Sequence, residues 1–399
     1  MSDLGEAAKE GARPRGALRV ALSAVKRWLG TAWRLSGCTV LLFLLLDAGL
    51  NFLYGLDEER NHPCRRFAAY AGQPWVVPYV REELSVESRW AAYVNWRAGP
   101  VDGRYLHVDE RGVRHTWNRP RAPDAPARPY RIYVFGGSTI WGTGVRDECT
   151  IPSWLSRILA EEDGQDVEVT NFGEIGYVST QEVLLLFRLV QTGQEPDLAI
   201  FYDGVNDVFS AAQNRQAGLT QQEINRRREF NLLKHKDRAL AAIFWGSDQQ
   251  GVPRLAATLA RRLLKRHEAN ATVPPALAGE CADRYAANVK LAGLLAQAYG
   301  FKAVFYWQPS LFHRARKTAE EDHSEARLGF LKDFYMEVYR QVQDHPALKA
   351  NPDFHYSAHL LDDREEACFI DYFHLSEAAN GLVAAALARD IGPLIPRVR

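Results

Sequence analysis

From Tyr130 onward the chain alternates short apolar runs with longer amphipathic stretches, and that rhythm leaves few folds open. Tyr130–Phe135, Val167–Asn171 and Leu198–Tyr202 read as strands, with Ile151–Glu162 and Ser179–Thr192 as the helices between them. Pro152 stands near the start of the first helix, where a missing N–H does no harm. Gly193 is placed to end the second. After residue 280 the rhythm resumes: a helix over 282–298, a strand over 302–307, a helix near 324–344, a short strand near 354–361 and a last helix over 376–390. Such alternation predicts an α/β domain, a parallel sheet with helices on both faces. Sheets of this kind carry their sites at the carboxyl ends of the strands.

Four short motifs fall at or near such ends. Phe135-Gly136-Gly137-Ser138-Thr139-Ile140-Trp141-Gly142 follows the first strand. Two glycines let the chain turn sharply, so that the Ser138 hydroxyl and its own N–H face one side. Ile140 stands where a nucleophile elbow needs its second glycine, which argues against the α/β-hydrolase fold. Asn171-Phe172-Gly173-Glu174-Ile175-Gly176-Tyr177 follows the second strand, and a glycine there lets a backbone N–H approach a reacting oxygen. Gly204-Val205-Asn206-Asp207 follows the third, and its side-chain amide is a donor for a developing oxyanion. Asp371-Tyr372-Phe373-His374 precedes the last helix, for which Ser376 is the expected N-cap. A serine hydroxyl needs an imidazole to take its proton, and the imidazole needs a carboxylate to fix its tautomer. Singly, each motif reads as an ordinary turn; their order and placement carry the weight.

In that order the residues resemble the SGNH/GDSL-like serine hydrolases, whose blocks supply Ser, Gly, Asn and His. The likeness covers roughly residues 130–390, with the GxND and DxxH blocks intact and the first block reading GGST rather than GDSL. It implies a flavodoxin-like three-layer SGNH hydrolase fold. By the resemblance Ser138 is the nucleophile, His374 the general base and Asp371 its orienting partner. The oxyanion hole would consist of the N–H groups of Ser138 and Gly176 with the Asn206 side chain.

The 22-residue run Leu35–Leu56 carries one charge, Asp47. About 20 apolar residues span a bilayer. A carboxylate at the helix centre costs about 2.5–3.5 kcal/mol, which Leu41 through Leu46 offset at roughly 0.3–0.6 kcal/mol each. Lys9, Arg13, Arg15, Arg19, Lys26, Arg27 and Arg34 precede the run; Asp57, Glu58 and Glu59 follow it. The charge bias predicts a single-pass cell-membrane anchor over 35–56, a cytoplasmic basic segment over 1–34 and everything beyond residue 57 on the extracytoplasmic side. No A-x-A site follows the apolar core, which disfavours a cleaved signal.

Residues 57–129 are rich in Trp, Pro and Arg without a sustained period, and read as an irregular or short-stranded lead-in packed on the 130–399 domain. Residues 208–280 read as a helical insertion, a lid bearing Arg226, Arg227 and Arg228. The formal net charge is zero, so no nucleic-acid partner is expected. No metal or nucleotide motif appears, so no cofactor is expected. Of the five cysteines, Cys38 lies in the apolar run; a bridge between Cys281 and Cys368 is expected among the rest. Three functions suit these residues. One is an esterase or deacylase acting by acyl-enzyme chemistry on a small molecule or a cell-surface glycan. Another is an O-acyltransferase of polysaccharide modification using the same site. The last is a non-catalytic glycan-binding protein on the same fold.

Overall fold

The computed structural model describes residues 15–121, 128–234, 255, 274, 276–326 and 329–396. The chain divides into two units, one of residues 1–57 with 242–269 and one of 58–241 with 270–399. Most of the insertion expected over 208–280 lies outside the described residues, as do residues 1–14 of the basic segment.

In the first unit the apolar run sits within one continuous helix, Arg15–Asn61, whose last residues belong to the second unit. Within Leu22–Asn61 the most apolar 18-residue window has a mean hydropathy of 1.8, and none of that window is buried in the protein. Among the described residues it is the one helix long and apolar enough to cross a membrane.

The second unit opens with the lead-in. Helix Val76–Leu84 carries Pro78 inside its first turn, where no intrahelical N–H is lost. That proline and the shortness of the helix hid it from a reading by period. Strands β1 (Ser88–Ala91) and β2 (Asn95–Ala98) pair antiparallel, and β3 (Val101–Asp102) pairs with β4 (His107–Val108).

The main sheet comprises β5 (Tyr130–Gly136), β6 (Val167–Asn171), β7 (Leu198–Asp203), β8 (Lys302–Trp307) and β9 (Phe354–Tyr356). All its pairings are parallel, in the order β6-β5-β7-β8-β9. This is the flavodoxin-like order, which reverses direction between the first and third strands and opens a crevice there. Central β7 is buried along its whole length, which is why it reads as a continuous apolar run rather than an alternation.

Alternate residues feed two cores. Phe135, Phe201 and Phe305 stack in a row across three strands, with centroids 4.9 and 5.2 Å apart, beneath helices Ser179–Gln191, Leu277–Tyr299 and Gly329–Asp344. Ile132, Val134, Ile200 and Val304 face the other way, toward helices Ile151–Arg157 and Glu377–Ile391. The expected helix over Ile151–Glu162 ends in a π-helical turn, Ile158–Glu162. The helix expected near 324–344 is preceded by a separate one, Ala319–Ala326. β9 stops at Tyr356, and the Ser357 N–H still bonds to the Trp307 carbonyl as the chain leaves the sheet.

The expected Cys281–Cys368 bridge is not formed, and all five thiols are free. Cys281 belongs to the core on one face of the sheet and Cys368 to the core on the other. A disulfide needs Cα atoms within about 7 Å, and the sheet stands between them.

Candidate active site

The Ser138–Trp141 helical turn leaves β5 directly through Gly136 and Gly137. A Cβ on Gly137 would strike the side-chain nitrogen of Asn206, so only glycine lets that amide lie against the backbone beside Ser138. Ser138 is the first residue of its turn, a position whose N–H has no intrahelical acceptor. Its hydroxyl lies 2.7 Å from His374 Nε2, and His374 Nδ1 lies 2.6 Å from Asp371 Oδ2. The other carboxylate oxygen of Asp371 accepts the N–H groups of Phe373 at 2.9 Å and His374 at 2.8 Å. A three-residue loop thus holds carboxylate and imidazole in one fixed geometry. Ser376 caps the following helix by accepting the Ala379 N–H at 3.2 Å.

Burial by itself would hold the His374 imidazole down; the adjacent Asp371 charge and hydrogen bond outweigh it, and its pKa is raised. The Glu83 carboxylate, from the lead-in, adds to the rise. Asp371 shows the converse: burial pushes it up, but the His374 charge and its hydrogen bonds leave it below the ordinary value. Burial also lowers the pKa of His62 nearby, so this second imidazole stays neutral near neutral pH.

Gly176 takes a left-handed conformation, φ 78°, that few other residues adopt without strain. Its loop is tied to the serine turn by Asn171, whose side chain donates to the Ile140 carbonyl at 2.8 Å and accepts the Gly173 N–H at 2.9 Å. Asn206 follows β7 on helix Val205–Asn214, and its carboxamide oxygen accepts from Gln221 Nε2 at 3.2 Å. The structure therefore brings Ser138, His374, Asp371 and Asn206 together, with the Gln221 side chain that bonds Asn206 lying beside Gly176.

Behind Asn206, Asp207 accepts the Ser179 hydroxyl at 2.6 Å and so fixes the start of the helix after the Gly176 loop. Asp207, Asp203 and Glu182 are all buried, and burial raises the pKa of each. The Glu182 and Asp203 carboxyls hydrogen-bond to each other.

The sequence reading missed the braces that the lead-in supplies. Arg114 donates to the carbonyls of Trp141, Gly142 and Val145 on the loop beyond Ser138. The Ala98 N–H donates to Glu174 at 2.9 Å in the Gly176 loop. The Tyr70 hydroxyl accepts the Glu377 N–H at 2.8 Å, just past His374. No local pattern marks these residues; the one available signal was the density of Arg and Trp in residues 57–129. Among the described residues no group of three His, Cys, Asp or Glu is arranged to hold a metal.

No protein-family model matches the chain, and no curated protein matches it. Solved structures do. TesA is 14% identical, with 66% of this chain and 99% of that one covered, at a TM-score of 0.37. The acetylxylan esterase Axe2 of Geobacillus stearothermophilus is 11% identical, covering 68% and 97%, at 0.35. A putative acylhydrolase of Bacteroides fragilis is 12% identical, covering 67% and 88%, at 0.34.

Proposed function

We propose that the chain is a membrane-anchored serine esterase or deacylase, and the observation that carries this is the hydrogen-bonded series Ser138–His374–Asp371 at 2.7 and 2.6 Å. Ser138 Oγ attacks the ester carbonyl while His374 Nε2 takes the hydroxyl proton. Asp371 holds the tautomer that leaves Nε2 free and stabilises the imidazolium. The oxyanion is met by the N–H groups of Ser138 and Gly176 and by Asn206 Nδ2. His374 returns its proton to the departing alcohol, leaving an acyl group on Ser138. Water, deprotonated by the same imidazole, then releases the acid.

The basic residues before the apolar stretch and the acidic ones after it favour an extracytoplasmic catalytic domain. A cell-surface glycan bearing O-acyl groups is the substrate class that suits this placement. Trp90 supports it: the side chain is 76% exposed and lies in register with Trp96, whose indole N–H donates to the Ile175 carbonyl next to Gly176. A flat, amphipathic indole exposed on the strand pair that reaches the Gly176 loop suits a sugar ring.

A fluorophosphonate label followed by peptide mapping tests the reading. Modification of Ser138 is the expected result; an unlabelled protein, or a label on another serine, overturns it. Product analysis with and without a sugar acceptor separates hydrolysis from acyl transfer.

A further inference from the structure

We infer that Gln221 is a positioning residue of the oxyanion hole, holding the Asn206 carboxamide with its N–H2 turned toward Ser138; this rests on the esterase reading above. Asn206 stabilises an oxyanion only through Nδ2, because its carbonyl oxygen in the same place would repel the charge. A half-turn of the amide exchanges the two atoms, so something must choose between them.

The amide is placed by one contact and oriented by another. On one side Asn206 Nδ2 fills the space where a Gly137 Cβ would stand, next to the Ser138 backbone. On the other, Asn206 Oδ1 accepts from Gln221 Nε2 at 3.2 Å. A flipped Asn206 would set two N–H2 groups against each other. The Gln221 carboxamide oxygen meanwhile lies 3.2 Å from where a Cβ on Gly176 would be. One side chain therefore bonds to the Asn206 carboxamide and lies beside Gly176, the residue of a second expected donor.

Gln221 is itself held. Arg226 Nη1 donates to the Gln221 backbone carbonyl and, at 3.1 Å, to Thr220 Oγ1. Asn95 Nδ2 reaches the same hydroxyl at 3.1 Å. The Arg226 guanidinium lies 4.5 Å over the Trp96 ring, and Trp96 Nε1 donates to the Ile175 carbonyl at 2.9 Å. The contacts close a ring from Asn206 through Gln221, Arg226 and Trp96 to the Gly176 loop. A segment outside the sheet framework is thereby the back wall of the hole.

The test uses the full-length protein in detergent. It measures kcat and KM on nitrophenyl acetate, and the rate at which a fluorophosphonate modifies Ser138. The variants are Gln221→Met, Asn206→Ala and the two combined. Methionine keeps the length and packing of the side chain and removes the donor. Gln221→Met is expected to lower kcat and the labelling rate about 3- to 10-fold, the range of one neutral hydrogen bond, with KM unchanged. Asn206→Ala should lower kcat about 10²–10³-fold. The double variant should be no more than about 2-fold slower than Asn206→Ala, because Gln221 then has nothing left to orient. Gln221→Glu should lower kcat at least as much as Gln221→Met wherever His374 is neutral, because an ionised carboxylate has no proton to donate to Asn206 Oδ1. Full activity in Gln221→Met, or losses that multiply in the double variant, would overturn the assignment while leaving the esterase reading intact. Failure of the wild type to label at Ser138 would overturn both.

Discussion

Arg114 and Asp147 form a fully buried ion pair, Nε donating to Oδ1 at 2.8 Å, that fastens the lead-in to the loop beyond Ser138. The guanidinium spends its other N–H groups on three carbonyls of that loop and lies 4.6 Å over the Trp141 ring. Removing one partner of a buried pair leaves an uncompensated charge, which costs about 3–5 kcal/mol. Arg114→Met should lower stability by that amount in denaturant unfolding. Arg114→Lys should not rescue it, because an ammonium lacks the planar fork. An unchanged unfolding midpoint in either variant would contradict this role.

Ser138→Ala and His374→Ala should each abolish turnover of nitrophenyl acetate, since removing one member of such a unit costs nearly as much as removing all. Asp371→Asn should lower kcat by about 10³–10⁴-fold, because the imidazole then takes the wrong tautomer. Near-native hydrolysis by Ser138→Ala would place the nucleophile elsewhere.

The acid limb of kcat/KM should lie above 6.5, the ordinary imidazole value, because His374 must be neutral to accept a proton and its pKa is raised. Glu83 contributes to that rise, so Glu83→Gln should move the limb to lower pH and extend activity into more acidic solution. A limb that stays put, or moves to higher pH, would remove Glu83 from the electrostatics of the site.

Glu182 and Asp203 are buried with raised pKa values: burial is the main cause, Asp203 and Asp207 further disfavour ionisation of Glu182, and Asp207 disfavours that of Asp203 against a hydrogen bond from Glu182 that partly offsets the rise. A native state that binds more protons than the unfolded chain loses stability as pH rises. Their contribution is complete below the ordinary values of 4.5 and 3.8 and is lost as pH rises through the raised native ones. The melting temperature should fall from mildly acidic to alkaline pH, and Asp203→Asn should flatten that decline. A melting temperature that climbs steadily through this window would be incompatible with protonated carboxyls in the core.

Trp90→Ala should raise KM for an acetylated polysaccharide and leave nitrophenyl acetate turnover unchanged, since the exposed indole offers its face only to a substrate larger than the acyl group. Equal effects on both substrates would assign Trp90 to folding instead.

The five strands, most of the helices between them and the turn residues at their ends were legible in the sequence because period and glycine placement are local properties; helix Val205–Asn214, which carries Asn206, was read only as a turn. Tyr130–Phe135, for instance, needs only its own side chains to read as a strand; in the sheet it extends one residue, to Gly136. The order Ser138, Gly176, Asn206, Asp371, His374 was legible for the same reason: each residue sits in a short motif beside an element boundary. Strand order was not legible from local pattern and came only through the resemblance, whose flavodoxin-like order is the one observed; it sets β7 beside β5 so that Asn206 lies against Gly137. Nor was the side of the sheet on which each cysteine falls, and so the expected bridge joined two cores that the strands keep apart. Arg114, Glu83 and Gln221 lie far along the chain from most of the groups they hold or influence, and an isolated Arg, Glu or Gln has no local signature. Their roles arise from packing, where a side chain's partners are decided by which distant backbone the fold brings within about 3 Å of it.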